Sequence, residues 1–299
     1  MRLPTGLSTR PLHLADAAAV TAVHAAQERA DLGEVLVEEA DIVGEWQRPS
    51  FDVPASTLGV FDADRLVAYA EFSGDDRGDA AVHPDYRGRG IGTELAHWMQ
   101  DTARTQGAAV LGMAVAAGSP GERLLRALGY QARWTSWLLR LPGQAITPQP
   151  LPAGYAAREA TPADYRAIWT VTEEAFAEWS TRQRQSFADF AAEVFDRPGF
   201  AAWNARVATG PDGQVVGVAQ VSRDGDSAFV HRLAVDRAHR HRGLARALLV
   251  DAFAAGRAHG ATAFDLTTDS RTGALALYEK VGMVVTLEWV NYAVTLTGE

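Results

Sequence analysis

The chain has 299 residues, of which 47% are hydrophobic and 22% are charged, and it carries a formal net charge of −9. This length exceeds one typical domain and the composition is that of a globular protein with a sizeable core, so we expect two domains. The acidic balance argues against a nucleic-acid partner, and the absence of cysteine excludes disulfides, thiolate nucleophiles and cysteine-ligated metals.

The N-terminal residues and the hydropathy of the chain indicate a cytoplasmic protein without a membrane partner. Residues 1–6 lack the apolar core of a signal peptide. No stretch approaches the roughly 18 apolar residues that a membrane-spanning helix needs.

The apolar pattern of the first half of the chain predicts one α/β domain. In chain order we expect a strand and a helix within 10–30, strands at 58–61 and 66–72, a short strand ending at Val82, a helix ended by Gly107, a strand at 110–115, a helix at 122–128 and a strand at 130–141. Residues 142–152 contain four prolines and no apolar periodicity, which is typical of a linker.

After this linker the same order of elements restarts, with a helix around Ile168 and strands at 205–208, 215–221 and 229–235. Four positions of the second half repeat positions of the first half at a constant spacing of 153 residues, namely Arg240, Gly243, Gly260 and Gly282 after Arg87, Gly90, Gly107 and Gly129. One spacing over about 40 residues indicates a duplication. We therefore predict two copies of one domain, at 1–141 and 153–299.

A glycine-rich turn stands between a strand and a helix in each copy. The first turn is Arg87, Gly88, Arg89, Gly90, Ile91 and Gly92, and the second turn is Arg240, His241, Arg242, Gly243, Leu244 and Ala245. Glycines let the backbone approach an anion closely, and the N–H groups and dipole of the following helix attract it with roughly half an elementary charge. Arginines add charged donors. The pattern predicts a diphosphate site.

The detailed spacing of the first turn decides between known diphosphate-binding motifs. A dinucleotide fingerprint requires glycine where the chain has Thr93, and the Gly-Lys-Ser/Thr of a P-loop is absent. The sequence Val-x-Pro-x-x-Arg-Gly-x-Gly-x-Gly that begins at Val82 resembles the acetyl-CoA pyrophosphate loop of the GNAT superfamily of N-acetyltransferases. The resemblance covers nearly the whole chain, once in each half.

Membership of this superfamily implies a mixed α/β sheet in each of two tandem domains, acetyl-CoA as cosubstrate and no metal. It implies transfer of an acetyl group to a primary amine, by direct attack in a ternary complex. A small-molecule amine is the expected acceptor. A non-catalytic acyl-CoA-binding protein and a protein N-acetyltransferase remain alternatives, and the sequence indicates no oligomeric state.

The two halves differ in the segment that supplies the proton donor in many GNAT proteins. The second half has Ser270 followed by Ala274, Leu277, Tyr278 and Gly282, which resembles the family's donor segment with Tyr278 as the donor. The first half has Leu125 at the matching position. The resemblance therefore implies catalysis in the second half, with the strand residues Leu233, Ala234 and Val235 and with Ser270 beside acetyl-CoA. The first half, including Val82, is expected to be a degenerate cofactor binder.

The base that removes a proton from the amine is less clearly marked. His231 is the first candidate, because it lies on the strand before the second turn and histidine titrates near neutrality. Glu174 is the second candidate, with Glu173 and Glu178 as rivals on or just after the same helix, although charged residues there are usually solvated. Three weaker expectations concern Asp265 and Asp269 as bases, an acceptor pocket walled by Trp169, Trp179 and Trp203, and a metal on His231, His239 and His241, which we do not predict.

Overall fold

The computed structural model describes residues 2–142, 147–180 and 182–296, and these residues form two compact units. The first unit comprises the described residues up to Thr135 together with Ala191–Pro198 and those from Glu288 onwards. The second unit comprises Ser136–Phe190 and Gly199–Leu287. Part of the predicted linker, residues 143–146, lies outside the described residues.

An antiparallel sheet and two flanking groups of helices build the first unit. Its elements are β1 (Leu7–Arg10), α1 (Ala17–Asp31), α2 (Glu39–Trp46), α3 (Val53–Ser56), β2 (Thr57–Asp62), β3 (Arg65–Phe72), β4 (Gly78–Val82), α4 (Ile91–Thr105), β5 (Val110–Ala116) and α5 (Pro120–Ala127). Strands β1 to β4 pair in sequence order. The face of α4 with Leu95, Met99 and Ala103 is buried in the core, because apolar residues recur there at helical spacing.

The second unit repeats this plan with longer central strands. The remaining elements of the chain are β6 (Gln131–Arg140), β7 (Ala156–Glu159), α6 (Tyr165–Phe176), α7 (Phe187–Val194), β8 (Ala205–Thr209), β9 (Val215–Asp224), β10 (Ser227–Val235), α8 (Leu244–Ala258), β11 (Ala263–Asp269), α9 (Leu275–Val281) and β12 (Val284–Thr295). Strands β7 to β10 are antiparallel neighbours, and β10 pairs with β11 in parallel. The structure thus has the predicted mixed α/β sheets.

The last strand of each sequence half pairs with strands of the other half. The compact units therefore differ from the predicted division at 1–141 and 153–299. Residues 136–140 of β6 pair with β11, and residues 289–295 of β12 pair with β5. Specific polar contacts accompany the exchange: Arg140 Nε donates to Asp265 Oδ1 at 2.8 Å, and Tyr292 OH donates to Glu122 Oε1 at 2.7 Å. Alternating burial specifies the faces of a strand but not its partner, so the exchange is not visible in the sequence pattern.

The duplication is visible in matching side-chain contacts as well as in the order of elements. Arg10 makes a two-pronged ion pair with Asp16 before α1, and Arg158 makes the same pair with Asp164 before α6. Each fork ties the strand end to the start of the helix that follows. The hydrogen bond with the guanidinium lowers the pKa of both carboxyls, against the effect of partial burial.

Candidate active site

Each glycine-rich turn ends in a left-handed glycine that begins a helix of 15 residues. Gly90 has φ 83° at the N-cap of α4, and Gly243 has φ 82° at the N-cap of α8. A β-carbon is strained in this conformation, which explains why glycine stands there in both copies. The first-turn N–H groups of a helix have no partner within the helix, so both turns present donors to an anion.

The second turn is the more strained of the two. His241 has φ 61° at the position where the first turn has Gly88 with φ 73°. An L-residue in the left-handed region costs about 1 kcal/mol or more relative to glycine. The second turn therefore keeps the conformation of the first at a cost in stability.

The leading arginine of each turn is bound to a carboxylate, which lies in α1 in the first unit and just after α6 in the second. Arg87 donates from both terminal nitrogens to Asp31, at 2.7 and 2.8 Å. Arg240 does the same to Glu178 at 2.7 and 2.9 Å, and its Nε donates to the Val235 carbonyl at 2.9 Å. These pairs fix the turns against the helices. Glu178 is therefore the partner of Arg240, and this hydrogen bond lowers the pKa of its carboxyl.

The second unit has a cavity of about 860 Å³ beside its turn, which we name the second cavity. The predicted residues that line it are His231, Leu233, Ala234, Val235, Arg240, His241, Gly243, Leu244, Ala245 and Tyr278. Arg242 and Ser270 are exposed and do not line it. Glu174 is also exposed and outside the lining, so the structure does not bring this predicted base into the cavity.

The floor of the second cavity is a gap between β10 and β11. A β-bulge at His231 interrupts the pairing of β10 with β9, and β10 pairs with β11 only as far as Val230. Bulges of this kind bend a strand and end its pairing. Because Asp236 N–H donates to Val216 and successive N–H groups alternate, the N–H groups of Leu233 and Val235 face the gap. No side chain among the described residues accepts a hydrogen bond from either N–H.

His231 and Tyr278 lie in the wall of this cavity in different surroundings. The His231 ring nitrogen Nε2 lies 2.7 Å from Ser222 Oγ, and its ring contacts Phe229 with centroids 4.8 Å apart. Tyr278 is 7% exposed, and burial raises the pKa of its hydroxyl to about 12. The phenol therefore stays protonated at neutral pH and keeps a proton for hydrogen bonding.

The other acidic candidates are committed to ion pairs. Glu173 is 3% exposed, accepts from both terminal nitrogens of Arg182 at 2.6 and 3.0 Å, and also accepts from the Gln185 N–H. It anchors the segment after α6. Asp265 is buried against Arg140, and Asp269 lines the second cavity but is bound to Arg271 at 2.6 Å.

Arg246 is a lining residue that the sequence reading missed. It lies in the first turn of α8, and its Nε is buried with no hydrogen-bond partner among the described residues. A buried donor without a partner is costly, so this Nε is available to an acceptor outside the described residues. The first half has Thr93 at this position, 153 residues earlier. That difference was the available sequence signal.

The aromatic residues expected around the acceptor divide into one that lines the cavity and two that do not. Trp179 and Phe176 lie in the wall, with their rings 5.3 Å apart. Trp169 donates to the Gln185 carbonyl, and Trp203 stacks on His259 at 4.2 Å; neither lines the cavity.

The first unit has its own cavity of about 410 Å³, which we name the first cavity. The predicted residues in its lining are Val82, Arg87, Gly88, Gly90, Ile91 and Gly92. Arg89 is exposed, donates to the Asp85 carbonyl and stays outside the lining.

The strand edge that faces the first cavity is covered by side chains. Ala80 N–H donates to Asp79 Oδ1 at 2.8 Å, and Val82 N–H donates to Gln27 Oε1 at 3.0 Å. These two N–H groups match those of Leu233 and Val235. The second half has different residues at the positions of Gln27 and Asp79. Ala175 matches Gln27, 148 residues later, and Arg232 matches Asp79, 153 residues later.

A buried titratable cluster in the first unit was not predicted. Tyr69 OH donates to Asp79 Oδ2 at 2.8 Å, and His24 Nε2 contacts both Tyr69 OH and Asp79. Burial opposes the charged form of both groups, but their mutual attraction outweighs it, raising the pKa of His24 and lowering that of Asp79 to about 2. On the same face, burial raises the pKa of Glu71 to about 7, and Glu71 accepts from Trp46 Nε1 at 2.8 Å.

The two cavities differ in the charged side chains that line them. The second cavity is lined by the guanidinium groups of Arg240, Arg246 and Arg271 against the carboxylates of Glu178 and Asp269. The first cavity is lined by the carboxylates of Glu28, Asp31 and Asp79 together with the guanidinium of Arg87 and the imidazole of His24, whose pKa is raised by Asp79 against the effect of burial. The excess of guanidinium groups favours an anionic ligand in the second cavity.

Comparison with known proteins agrees with this fold and site. The chain belongs to the acetyltransferase (GNAT) family, whose model matches residues 21–130 and 165–283, once in each half. The family uses acetyl-CoA as cosubstrate, and the chain is a tandem GNAT N-acetyltransferase. The predictions of superfamily, fold class and enzyme class are confirmed.

Two relatives and two solved structures are similar to this chain over most of its length. The mycothiol acetyltransferase of Salinispora arenicola is 33% identical over 258 residues, covering 80% of this chain and 81% of the relative. That of Thermobispora bispora is 30% identical over 282 residues, covering 89% and 92%. A GCN5-related N-acetyltransferase from Sphaerobacter thermophilus has a TM-score of 0.76 at 26% identity, covering 99% of this chain and 98% of that one. A tandem GNAT protein from the clavulanic acid biosynthesis pathway has a TM-score of 0.74 at 20% identity, covering 98% and 99%.

Within residues 2–142, 147–180 and 182–296, no helix combines the length and the hydropathy that crossing a bilayer requires.

Proposed function

We propose that the second unit transfers the acetyl group of acetyl-CoA to a primary amine of a small molecule, by direct attack within a ternary complex. The observation that carries this proposal is the open strand edge at Leu233 and Val235, whose counterparts in the first unit are covered by Gln27 and Asp79. The pantetheine arm of acetyl-CoA bears amides that need such an edge. The first unit is the degenerate copy.

The turn and its neighbours suit the phosphate groups of the cosubstrate. The N–H groups at the start of α8 point to the anion, and Gly243 lets it approach the backbone. Arg246 adds the charged donor, because Arg240 is already bound to Glu178. The guanidinium excess in the second cavity supports the same assignment.

The gap between β10 and β11 suits the thioester. A backbone N–H aimed at the carbonyl oxygen stabilises the charge that develops there when the amine attacks, and preorganised donors of this type are typically worth about 3 kcal/mol. The N–H of Leu233, next to the bulge, is our choice for this donor, and the N–H of Val235 is left to the pantetheine arm. His231, held by Ser222 and displaced by the bulge, is our choice for accepting the amine proton, directly or through water.

Tyr278 is our choice for the group that stabilises the departing thiolate. A phenol with a pKa of about 12 is a weaker acid than a thiol, whose pKa is about 8.5. Tyr278 therefore acts by donating a hydrogen bond to the sulfur, and solvent supplies the proton in the end. The matching residue of the first unit, Leu125, lines the first cavity and has no donor.

The acceptor is proposed from the relatives together with the wall of the second cavity. The relatives are named mycothiol acetyltransferases, which supports a small-molecule amine as acceptor here. Phe176 and Trp179 offer an apolar wall for such a molecule. The cytoplasm, where acetyl-CoA is made, is the compartment that this function requires.

The test compares Gly243→Glu with Gly90→Glu in the intact chain. Both glycines have φ near 82° and open space where a β-carbon would stand, so the backbone strain is matched. Calorimetric titration of the unmodified protein with acetyl-CoA is expected to give one site. That site and turnover are expected to be lost in Gly243→Glu and kept in Gly90→Glu. The reverse pattern would move the active site to the first unit, and binding without turnover of any amine would favour an acyl-CoA-binding protein.

A further inference from the structure

A contact between two side chains joins the segments that border the gap between β10 and β11. On the β10 side, Glu178 fixes the segment after α6 to the glycine-rich turn through its two-pronged pair with Arg240. On the β11 side, Asp269 accepts from the backbone N–H, Nε and Nη2 of Arg271 at 2.9, 3.2 and 2.6 Å. The guanidinium carbon of Arg271 lies 4.9 Å from the centroid of the Trp179 ring. We name this contact of Trp179 with Arg271 the bridge.

The bridge lies at the open end of the gap. Strands β10 and β11 pair only as far as Val230, and the partners of the bridge are anchored beyond the far ends of these two strands. Both partners line the second cavity. The cavity has about 860 Å³ with the bridge formed, within the usual range for small-molecule sites of roughly 300–1,000 Å³. A pantetheine arm therefore has room in the cavity while the bridge is closed.

The first unit has neither partner of the bridge, although it repeats the turn and the helices around it. Asp31 lies 148 residues before Trp179, and Gly118 lies 153 residues before Arg271. Asp31 is bound to Arg87, and a glycine has no side chain to reach across the gap. The bridge is therefore a feature of the unit to which we assign catalysis.

The strength of the bridge suits a contact that opens and closes. Phe176, with its ring 5.3 Å from that of Trp179, and Asp269 hold the two partners in place. The Arg271 side chain is 31% exposed, and a cation–π contact at an exposed site shifts an equilibrium between open and closed forms by only about two- to fivefold. Loop segments joined in this way move within nanoseconds to microseconds.

We propose that the bridge is a gate that controls the exchange of acetyl-CoA at the second unit. It closes the empty gap, opens to admit the pantetheine arm and forms again over the bound arm. This proposal rests on the proposed function of the second unit. A gate slows both the entry and the exit of its ligand, whereas a wall that only contacts the ligand slows its exit alone.

The test measures the association and dissociation rates of acetyl-CoA on the immobilised full chain by surface plasmon resonance. Every variant also carries Gly90→Glu, so that binding at the second turn alone is measured. We expect Trp179→Leu to raise both rates by about two- to fivefold and to change the Kd by less than about twofold. Trp179→Phe keeps an aromatic face and should lie closer to the unmodified protein. Arg271→Gln, on an exposed residue, should likewise raise the dissociation rate, which keeps the test valid if Trp179→Leu fails to fold.

The two partners must act through each other if the bridge is the gate. In a protein that already carries Arg271→Gln, we therefore expect Trp179→Leu to change either rate by less than about 1.5-fold, since the contact is already lost. Trp203→Leu removes a tryptophan that stacks on His259 outside the cavity, and it should leave both rates unchanged.

Three results would overturn the gate. They are unchanged rates in Trp179→Leu, a rise in the dissociation rate alone, and an effect of Trp179→Leu that persists in full with Arg271→Gln. Failure of the proposed function is a separate result, because acetyl-CoA binding would then survive Gly243→Glu. Loss of binding in Gly243→Glu together with unchanged rates in Trp179→Leu would reject the gate alone.

Discussion

Covering the strand edge of the second unit is expected to weaken acetyl-CoA binding. Ala175 and Gln27 occupy matching positions on α6 and α1, and each lines the cavity of its unit. In the first unit the Gln27 amide oxygen accepts from the Val82 N–H at 3.0 Å. Ala175→Gln is designed to bring the same acceptor to the N–H of Val235.

The expected magnitude follows from one hydrogen bond. To seat the pantetheine arm, the new glutamine must release the strand N–H, and a hydrogen bond of this kind contributes about 1 kcal/mol net. The side chain must also leave the channel, which costs rotamer freedom of a few tenths to about 1 kcal/mol. A total near 1.4 kcal/mol corresponds to a roughly tenfold higher Kd for acetyl-CoA.

Ala175→Met is the control for side-chain size. Methionine is about as long as glutamine but has no strong acceptor for the strand N–H, so it occupies the channel without forming the hydrogen bond. The assay is the Kd of acetyl-CoA by calorimetry and the KM for acetyl-CoA in turnover with a fixed amine. We expect the glutamine variant to bind about fivefold more weakly than the methionine variant, because both side chains must leave the channel and only glutamine has a hydrogen bond of about 1 kcal/mol to release. Gln27→Ala in the first unit should leave turnover unchanged. Equal Kd values for Ala175→Gln and Ala175→Met would refute the argument that the open edge holds the cosubstrate.

The remaining predictions test the donor, the phosphate contact, the strained turn and a buried carboxyl. Tyr278→Phe should lower kcat about 100-fold while the Kd of acetyl-CoA stays the same, as stopped-assay kinetics and calorimetry would measure. Arg246→Thr should raise the Kd of acetyl-CoA about tenfold, whereas Arg242→Thr, at an exposed position outside the cavity, should change it less than twofold. His241→Gly should raise the free energy of unfolding by up to about 1 kcal/mol in urea titration, since φ is 61° there. Glu71 has a folded pKa of about 7 against 4.5 unfolded, so its stabilising contribution is complete below pH 4.5 and is lost as the pH rises to about 7. The loss is roughly 3 kcal/mol, and Glu71→Gln should abolish that part of the pH dependence of unfolding. A slope that persists in Glu71→Gln would assign it to other groups.

Much of the fold follows from local sequence, because strand alternation and helix periodicity depend on neighbouring residues. The pairs β2–β3 and β8–β9 and the helices after both turns lie within a few residues of their predicted bounds. Helices α2 and α7, each of 8 residues, were not predicted. Such short segments offer too few repeats for periodicity to separate a helix from a loop.

The partners of the strands and of the charged groups could not be predicted in the same way. The exchange of β6 and β12 depends on which edge each strand meets in three dimensions, and Arg240 meets Glu178 across 62 residues of sequence. The turn itself was predictable because its conformation is set by consecutive residues. The role of Glu178, the placement of Glu174 outside the cavity and the orphan Nε of Arg246 are all results of tertiary packing.

If the second unit is the working domain, as we propose, the quality of a phosphate-binding turn does not by itself identify that domain. The first turn has three glycines and the motif of the family. The second turn keeps only the middle glycine and has a strained His241 and an Ala245 at the other two positions. Yet the carboxylates and the covered strand edge are in the first unit. A turn can persist after duplication because its left-handed glycine starts a core helix, and that role continues without a ligand. The residues across the channel are Gln27 and Asp79 in one unit and Ala175 and Arg232 in the other. They cover the strand edge in the first unit and leave it open in the second, so they discriminate between the two units better than the turn does.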